Sequence, residues 1–156
     1  WSAHIAGDAI SGRKSAASQA QRSLGGAAFY NVYQTADSKF IVLGAREMKF
    51  VRNLLMALDR EDLIPVAERK AGEQNELIDY LRSVFKTQSR DEWVQWFADK
   101  DVAFSPVLSF REALDQSFLK EKGLLVEAHG SHQLAPSYRF ASEKDWQPID
   151  APALQR

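Results

Sequence analysis

Residues 24–50 read LGGAAFYNVYQTADSKFIVLGAREMKF, and this stretch decides the fold. A glycine pair, Gly25 and Gly26, opens it. The run 29–34 interleaves aromatic and polar residues, and the run 40–43 is apolar throughout. Between them Ala36, Asp37, Ser38 and Lys39 form a polar turn, so two β-prone runs predict a hairpin. Gly44 and Ala45 let the chain leave the second strand, and Glu47 stands at the mouth of an amphipathic helix. In that helix Phe50, Leu54 and Leu58 share a face, with Val51 and Leu55 beside them and Lys49, Arg52 and Asn53 opposite. A flexible loop, a hairpin and a carboxylate at a helix start can build one wall of a site. They equally describe a surface hairpin over a core.

Upstream, Trp1, Ile5 and Ala9 recur every fourth residue and suit a short helix over 1–10, ended by Gly12. Residues 12–23 are small and polar and read as a linker, with Arg13, Lys14 and Arg22 as solvating charges. Downstream, 59–65 reads as a connector. Leu77, Leu81, Val84 and Phe85 form the buried stripe of a helix over residues 73–86. Ser89 with Glu92, and Ser109 with Glu112, have the spacing of capping boxes. The first starts a helix that carries Trp93, Trp96 and Phe97 on one stripe, as core. The second starts a helix through Ala113 and Leu114 toward Leu119, closed by Gly123. Residues 102–108 read as a strand whose Pro106 places it at an edge or an end. Residues 124–128 form a further short strand, and 129–156, with Pro136, Pro148 and Pro152, is irregular. The expected class is α+β: a short antiparallel sheet of three or four strands, three or four helices packed on one face, and flanking extended linkers.

The chain has 156 residues, enough for one domain with a real core, and its 45% hydrophobic and 26% charged content is that of a globular protein. Twenty Lys and Arg against 21 Asp and Glu give a net charge of -1, which predicts no broad field for nucleic acid or an anionic membrane. No apolar run approaches the roughly 18 residues of a membrane span. Absence of cysteine excludes disulfides, thiolate catalysis and Cys-based zinc sites, and fits a cytoplasmic setting. His129 and His132 have an H-x-x-H spacing but flank Gly130 in a loop with no third ligand nearby, so no metal site is expected. No P-loop, G-x-S-x-G or H-E-x-x-H occurs, and no G-x-G-x-x-G follows a strand. The first residue is Trp1 rather than Met, so the chain reads as a piece of a longer protein, or as a truncated module that only binds or associates.

The order GG-x-x-FY-x-x-Y-x-TAD-x-x-F-hydrophobic-x-x-GA-x-E over residues 25–47 resembles the signature of the family III CoA-transferases and their relatives, the α-methylacyl-CoA racemases (the CaiB/BaiF family). SRDEW (89–93), D-x-x-x-x-PV-L (101–108) and EAL-x-D (112–116 region) resemble the same family, so the likeness spans residues 25 to about 127. Ser38 stands where the family has a turn glycine, and Met48 where it has proline.

The resemblance implies residues 1–24 as the end of a preceding large domain and a linker, 25–128 as a small α+β domain, and 129–156 as a return linker. It implies acyl-CoA thioester chemistry with CoA as substrate, not a bound cofactor, and a homodimer whose subunits interlock. The transferase branch moves CoA between carboxylic acids through an aspartyl intermediate; the racemase branch exchanges the α-proton. In both, the catalytic Asp belongs to the large domain and has no counterpart here, so this chain alone is expected to be inactive. What the resemblance assigns to this chain is Gly25, Gly26, Tyr30 and Arg46 for substrate binding, and Glu47 as a catalytic carboxylate that orients or charge-balances a base. Beside that role, Glu47 reads as a negative charge stabilising a helix N-terminus.

Overall fold

The computed structural model describes residues 6–7, 10–12, 20–128 and 130–136. Of the helix expected over 1–10, residues 6, 7 and 10 are helical; the remainder, His129 and the segment 137–156 lie outside the described residues. The chain divides into two compact units, residues 1–107 and 108–156.

In the first unit, β1 (Asn31–Gln34), β2 (Phe40–Leu43) and β3 (Phe104–Val107) form an antiparallel sheet in the order β1-β2-β3. Val32 faces Val42 and Gln34 faces Phe40, which is the expected hairpin. Its tip is a three-residue turn. The Thr35 amide donates to the Lys39 carbonyl at 3.0 Å and the Ser38 amide to the Thr35 carbonyl at 3.1 Å, while Ser38 takes φ 62°. A turn of this kind ends on a left-handed residue, where glycine costs least. Pro106 pairs with Ile41 on β3, an edge strand, as its missing N–H requires.

Period-two alternation turns Tyr33, Ile41 and Leu43 inward and leaves Val32, Phe40 and Val107 exposed on the opposite face. The inward face is covered by α1 (Met48–Ala57), α3 (Asn75–Phe85) and α4 (Arg90–Phe97), whose apolar stripes supply Leu54, Leu81, Phe85 and Trp93 to one core. The Phe85 ring lies 5.1 Å from those of both Tyr33 and Trp93, and the Trp93 indole N–H donates to the Phe85 carbonyl at 3.0 Å. Burying each such aromatic is worth about 2 to 3 kcal/mol. Trp93 and Phe97 are buried, so the aromatic stripe is core as expected.

The capping box forms at α4: the Ser89 amide donates to the Glu92 carboxylate at 2.8 Å, and the Glu92 amide to the Ser89 hydroxyl at 3.4 Å. Next to it Arg90 is buried; its guanidinium donates to the Val107 carbonyl at 3.0 Å and pairs with Asp91 at 3.0 Å. Residues 59–65, expected as a plain connector, are partly helical. A 3-10 turn (Glu61–Leu63) runs into α2 (Ile64–Ala67), with Leu63 and Val66 buried. Pro65 sits in the first turn of α2, where a missing N–H breaks nothing.

In the second unit, Ser109 and Glu112 form the second capping box and start α5 (Phe110–Leu114). The single helix expected here is broken. Gln116 is extended, with ψ 131°, before α6 (Ser117–Glu121), and Gly123 at φ 61° follows it. Residues 124–128 do form a strand, β4 (Leu125–Ala128), but it does not join the three-stranded sheet. It pairs with β5 (Ser131–Leu134) in a separate two-stranded sheet, inside a segment read as irregular. Gly130 at φ 73° permits the tight turn, and the polar Ser-His-Gln run of β5 carries little strand propensity to reveal it.

Candidate functional site

The glycine loop is built by backbone bonds from two directions. Gly25 closes a 3-10 turn (Arg22–Leu24) in the left-handed region, φ 87°, where glycine avoids the steric cost a Cβ would add. Its carbonyl accepts from the Asn31 amide side chain at 3.2 Å. Gly26 is buried, and both its backbone groups are used internally: its amide donates to the Gln21 carbonyl at 2.9 Å, and its carbonyl accepts from the Gly72 amide at 2.8 Å. Further along, the Ala45 amide donates to the Phe29 carbonyl at 3.0 Å, joining the loop to the chain that enters α1.

Gln74 holds the arrangement together. Its side-chain carbonyl accepts from the Ala28 amide at 2.9 Å, and its NH2 donates to the carbonyls of Ala67 at 2.9 Å and Arg69 at 2.6 Å. The residue is buried and every polar atom of its amide has a partner, so the glycine loop and the segment 67–72 are fixed to each other. Sequence reading missed it because Ala28 lies 46 residues away and no local motif marks the nearer carbonyls of Ala67 and Arg69.

Glu47 occupies the N-cap position of α1 at φ -64°, ψ 134°, and Met48 is the first helical residue. The main-chain carbonyl of Glu47 accepts from the Phe50 amide at 2.9 Å, but its exposed carboxylate caps no helix amide. The side chain is therefore presented outward. Arg46 is also exposed, and Tyr30 is half exposed at 49%.

Three concavities meet around these groups. Tyr30, Arg46 and Glu47 line one of about 270 Å³ together with Arg22. Gly25 and Tyr30 line a second, of about 310 Å³, with Val32 and Val42. The largest, about 680 Å³, shares Arg22, Arg46 and Glu47 with the first and continues to Arg69, Lys70 and Gln74. Of the residues expected from sequence, Tyr30, Arg46 and Glu47 come together, Gly25 reaches the neighbouring concavity, and Gly26 lines none of the three. Arg22, Arg69 and Lys70 are the additions. Among the described residues no group of His, Asp or Glu could hold a metal ion, and no helix is long and apolar enough to cross a membrane.

The sequence model of CoA-transferase family III matches residues 1–155 of this chain. The chain belongs to that family. Curated relatives of family III are consistent with this. Human alpha-methylacyl-CoA racemase is 31% identical over 131 residues, which is 83% of this chain and 31% of that protein. The mouse alpha-methylacyl-CoA racemase is 33% identical over 102 residues, 65% of this chain and 27% of its own length. A CaiB/baiF CoA-transferase family protein of Caenorhabditis elegans is 36% identical over 85 residues, 53% of this chain and 23% of that protein. The chain thus spans about a third or less of the curated relatives it matches. The crystal structure of Rv3272 from Mycobacterium tuberculosis superposes with a TM-score of 0.56 at 22% identity, covering 72% of this chain and 32% of that one, which is a likeness of fold.

Proposed function

We propose that this chain supplies the small-domain wall of an acyl-CoA site in a family III enzyme. In this reading residues 25–128 form the small domain, and the segments before and after it lead from and back to a larger domain. A cytoplasmic setting and a homodimer, with the site shared between subunits, belong to the same proposal. The observation that carries it is Glu47: an exposed carboxylate beside Arg46 and Tyr30, on a cavity wall, making no bond to the helix it begins.

The chemistry best supported is exchange of the α-proton of an acyl-CoA, the activity named in the human and mouse relatives. That step needs a base to take the proton and a positive or hydrogen-bonding environment for the enolate. Glu47 would orient a base contributed from outside this chain and balance the charge of the conjugate acid that forms when it takes the proton, and Arg46 beside it would offset negative charge developing on the thioester oxygen. A second reading, CoA transfer between carboxylic acids through an aspartyl intermediate, is favoured by the description of the matched family. It leaves Glu47 the same orienting role and moves the covalent step to an Asp that is also outside this chain.

The test is incubation of the polypeptide that joins this chain to its large domain with a 2-methylacyl-CoA in D2O, with a labelled free acid present. Deuterium at the α-carbon is expected, and Glu47→Gln should slow its incorporation by about a hundredfold, within the usual range for loss of acid-base assistance. CoA passing to the labelled acid without deuterium uptake would favour the second reading. Neither reaction would overturn both and leave an association module.

A further inference from the structure

The concavity of about 680 Å³ has a lining with more positive charge than the catalytic reading, which uses Arg46 alone among its cations, calls for. Arg22, Arg46, Arg69 and Lys70 face it, against the two carboxylates of Glu47 and Glu68, in a chain whose net charge is only -1. Elsewhere several cations are paired, although among the described residues Arg52, Lys86, Lys120 and Lys122 are in no ion pair either. Arg60 bonds Asp62 at 2.7 Å, Arg82 bonds Asp79 at 2.8 Å, Lys100 bonds Asp99 at 2.8 Å and Arg90 bonds Asp91 at 3.0 Å. Lys49 pairs with Asp101 as well. Among the described residues none of the four cavity cations is in an ion pair, and neither Glu47 nor Glu68 neutralises them.

The cations come from three separate stretches of chain that the fold gathers, and their backbone is held. Gln74 fixes the carbonyls of Ala67 and Arg69, and the Gly72 amide ties that segment to Gly26 beside Arg22. Three guanidiniums and an ammonium offer many more donors than a single carboxylate can accept. Guanidinium forks match the oxygens of phosphate in pairs. A ligand with one charge would leave most of the cluster unanswered; one with two or more charges and several oxygens would not.

We propose that this cavity binds a multivalent phosphate anion of the diphosphate type, either the diphosphate of CoA itself or a free one. The CoA form rests on the acyl-CoA reading above; the free form does not. The occupant lies against the wall that carries Arg46 and Glu47, so its charge also acts on the neighbouring site.

Isothermal titration calorimetry of the 156-residue chain with pyrophosphate, CoA and pantetheine, at low and moderate salt, tests this. Pyrophosphate should bind, should weaken as salt rises, and should lose about tenfold or more in affinity in the Arg69→Ala/Lys70→Ala double variant. Both residues are exposed, so the variant keeps its core. Arg82→Ala removes an exposed cation outside the cavity and should leave affinity unchanged. CoA binding with the same losses, and pantetheine without measurable binding, would identify CoA as the source. Pyrophosphate binding alone would identify a free anion, and would stand even if no acyl-CoA chemistry were found. Pantetheine binding as tightly as CoA would overturn the CoA form, and the whole proposal is overturned if pyrophosphate does not bind or if Arg82→Ala weakens binding as much as the double variant.

Discussion

The Asp37 carboxylate accepts a hydrogen bond from the Arg90 amide at 3.2 Å, so the tip of the β1–β2 hairpin helps cap helix α4 from 53 residues away. The same carboxylate accepts from the Thr35 hydroxyl at 2.5 Å, and the Ala36 amide donates to the Gln88 carbonyl at 2.9 Å. Hairpin and helix start are one construction.

A pH dependence follows. The Thr35 hydroxyl, and after it the Arg90 amide, hold the Asp37 carboxyl below its ordinary pKa. A depressed carboxyl contributes stability that is present above its unfolded value, about pH 4, and is lost as pH falls through the folded one. Asp37→Asn should therefore lower the thermal midpoint by a few degrees at neutral pH, and the gap to wild type should close as the pH falls well below about 4. Midpoints measured across that range check it; a gap independent of pH would contradict the linkage.

Ser38 sits at φ 62° where a residue without Cβ would be unstrained. Ser38→Gly should stabilise the fold by about 0.5 kcal/mol, the relief of left-handed strain less the extra freedom glycine has when unfolded. Urea unfolding midpoints decide the sign.

Gln74 answers three backbone groups at once, so Gln74→Leu strands the Ala28 amide and the carbonyls of Ala67 and Arg69. The loss should be about 2 to 4 kcal/mol in urea. Amide exchange at Ala28 should speed up more than at Leu81, which lies in the middle of α3.

Glu47→Gln should leave stability within about 0.5 kcal/mol, because the carboxylate caps nothing. A large drop in stability would mean that the charge serves the helix rather than a site.

Local grammar made much of this fold readable. The hairpin, the amphipathic α1 and α3, both capping boxes and the edge position of Pro106 each depend on residues within a few positions of one another. What escaped depends on distance. Gln74 meets Ala28 across 46 residues, and the cationic cavity adds to Arg46 the residues 22, 69 and 70, none of which stands in a motif. The helical turns at 61–67 escaped for another reason: they are too short to show a period, and their Pro65 looks like a breaker until its place in the first turn is seen.

Pro106 bears on what β3 can do at its open side. An edge strand with free carbonyls and amides is a template for another chain, and Val107 and Phe40 beside it are apolar and exposed. The bond from the Gly44 amide to the Ala103 carbonyl sets the register, so the backbone groups of residues 103, 105 and 107 point at β2 and those of 104 and 106 point outward. Pro106 has no N–H to offer there, and a fourth strand would lose a ladder bond in the middle of its run. The proline of the family-like PV-L strand thus also blunts the sheet against edge-to-edge polymerisation.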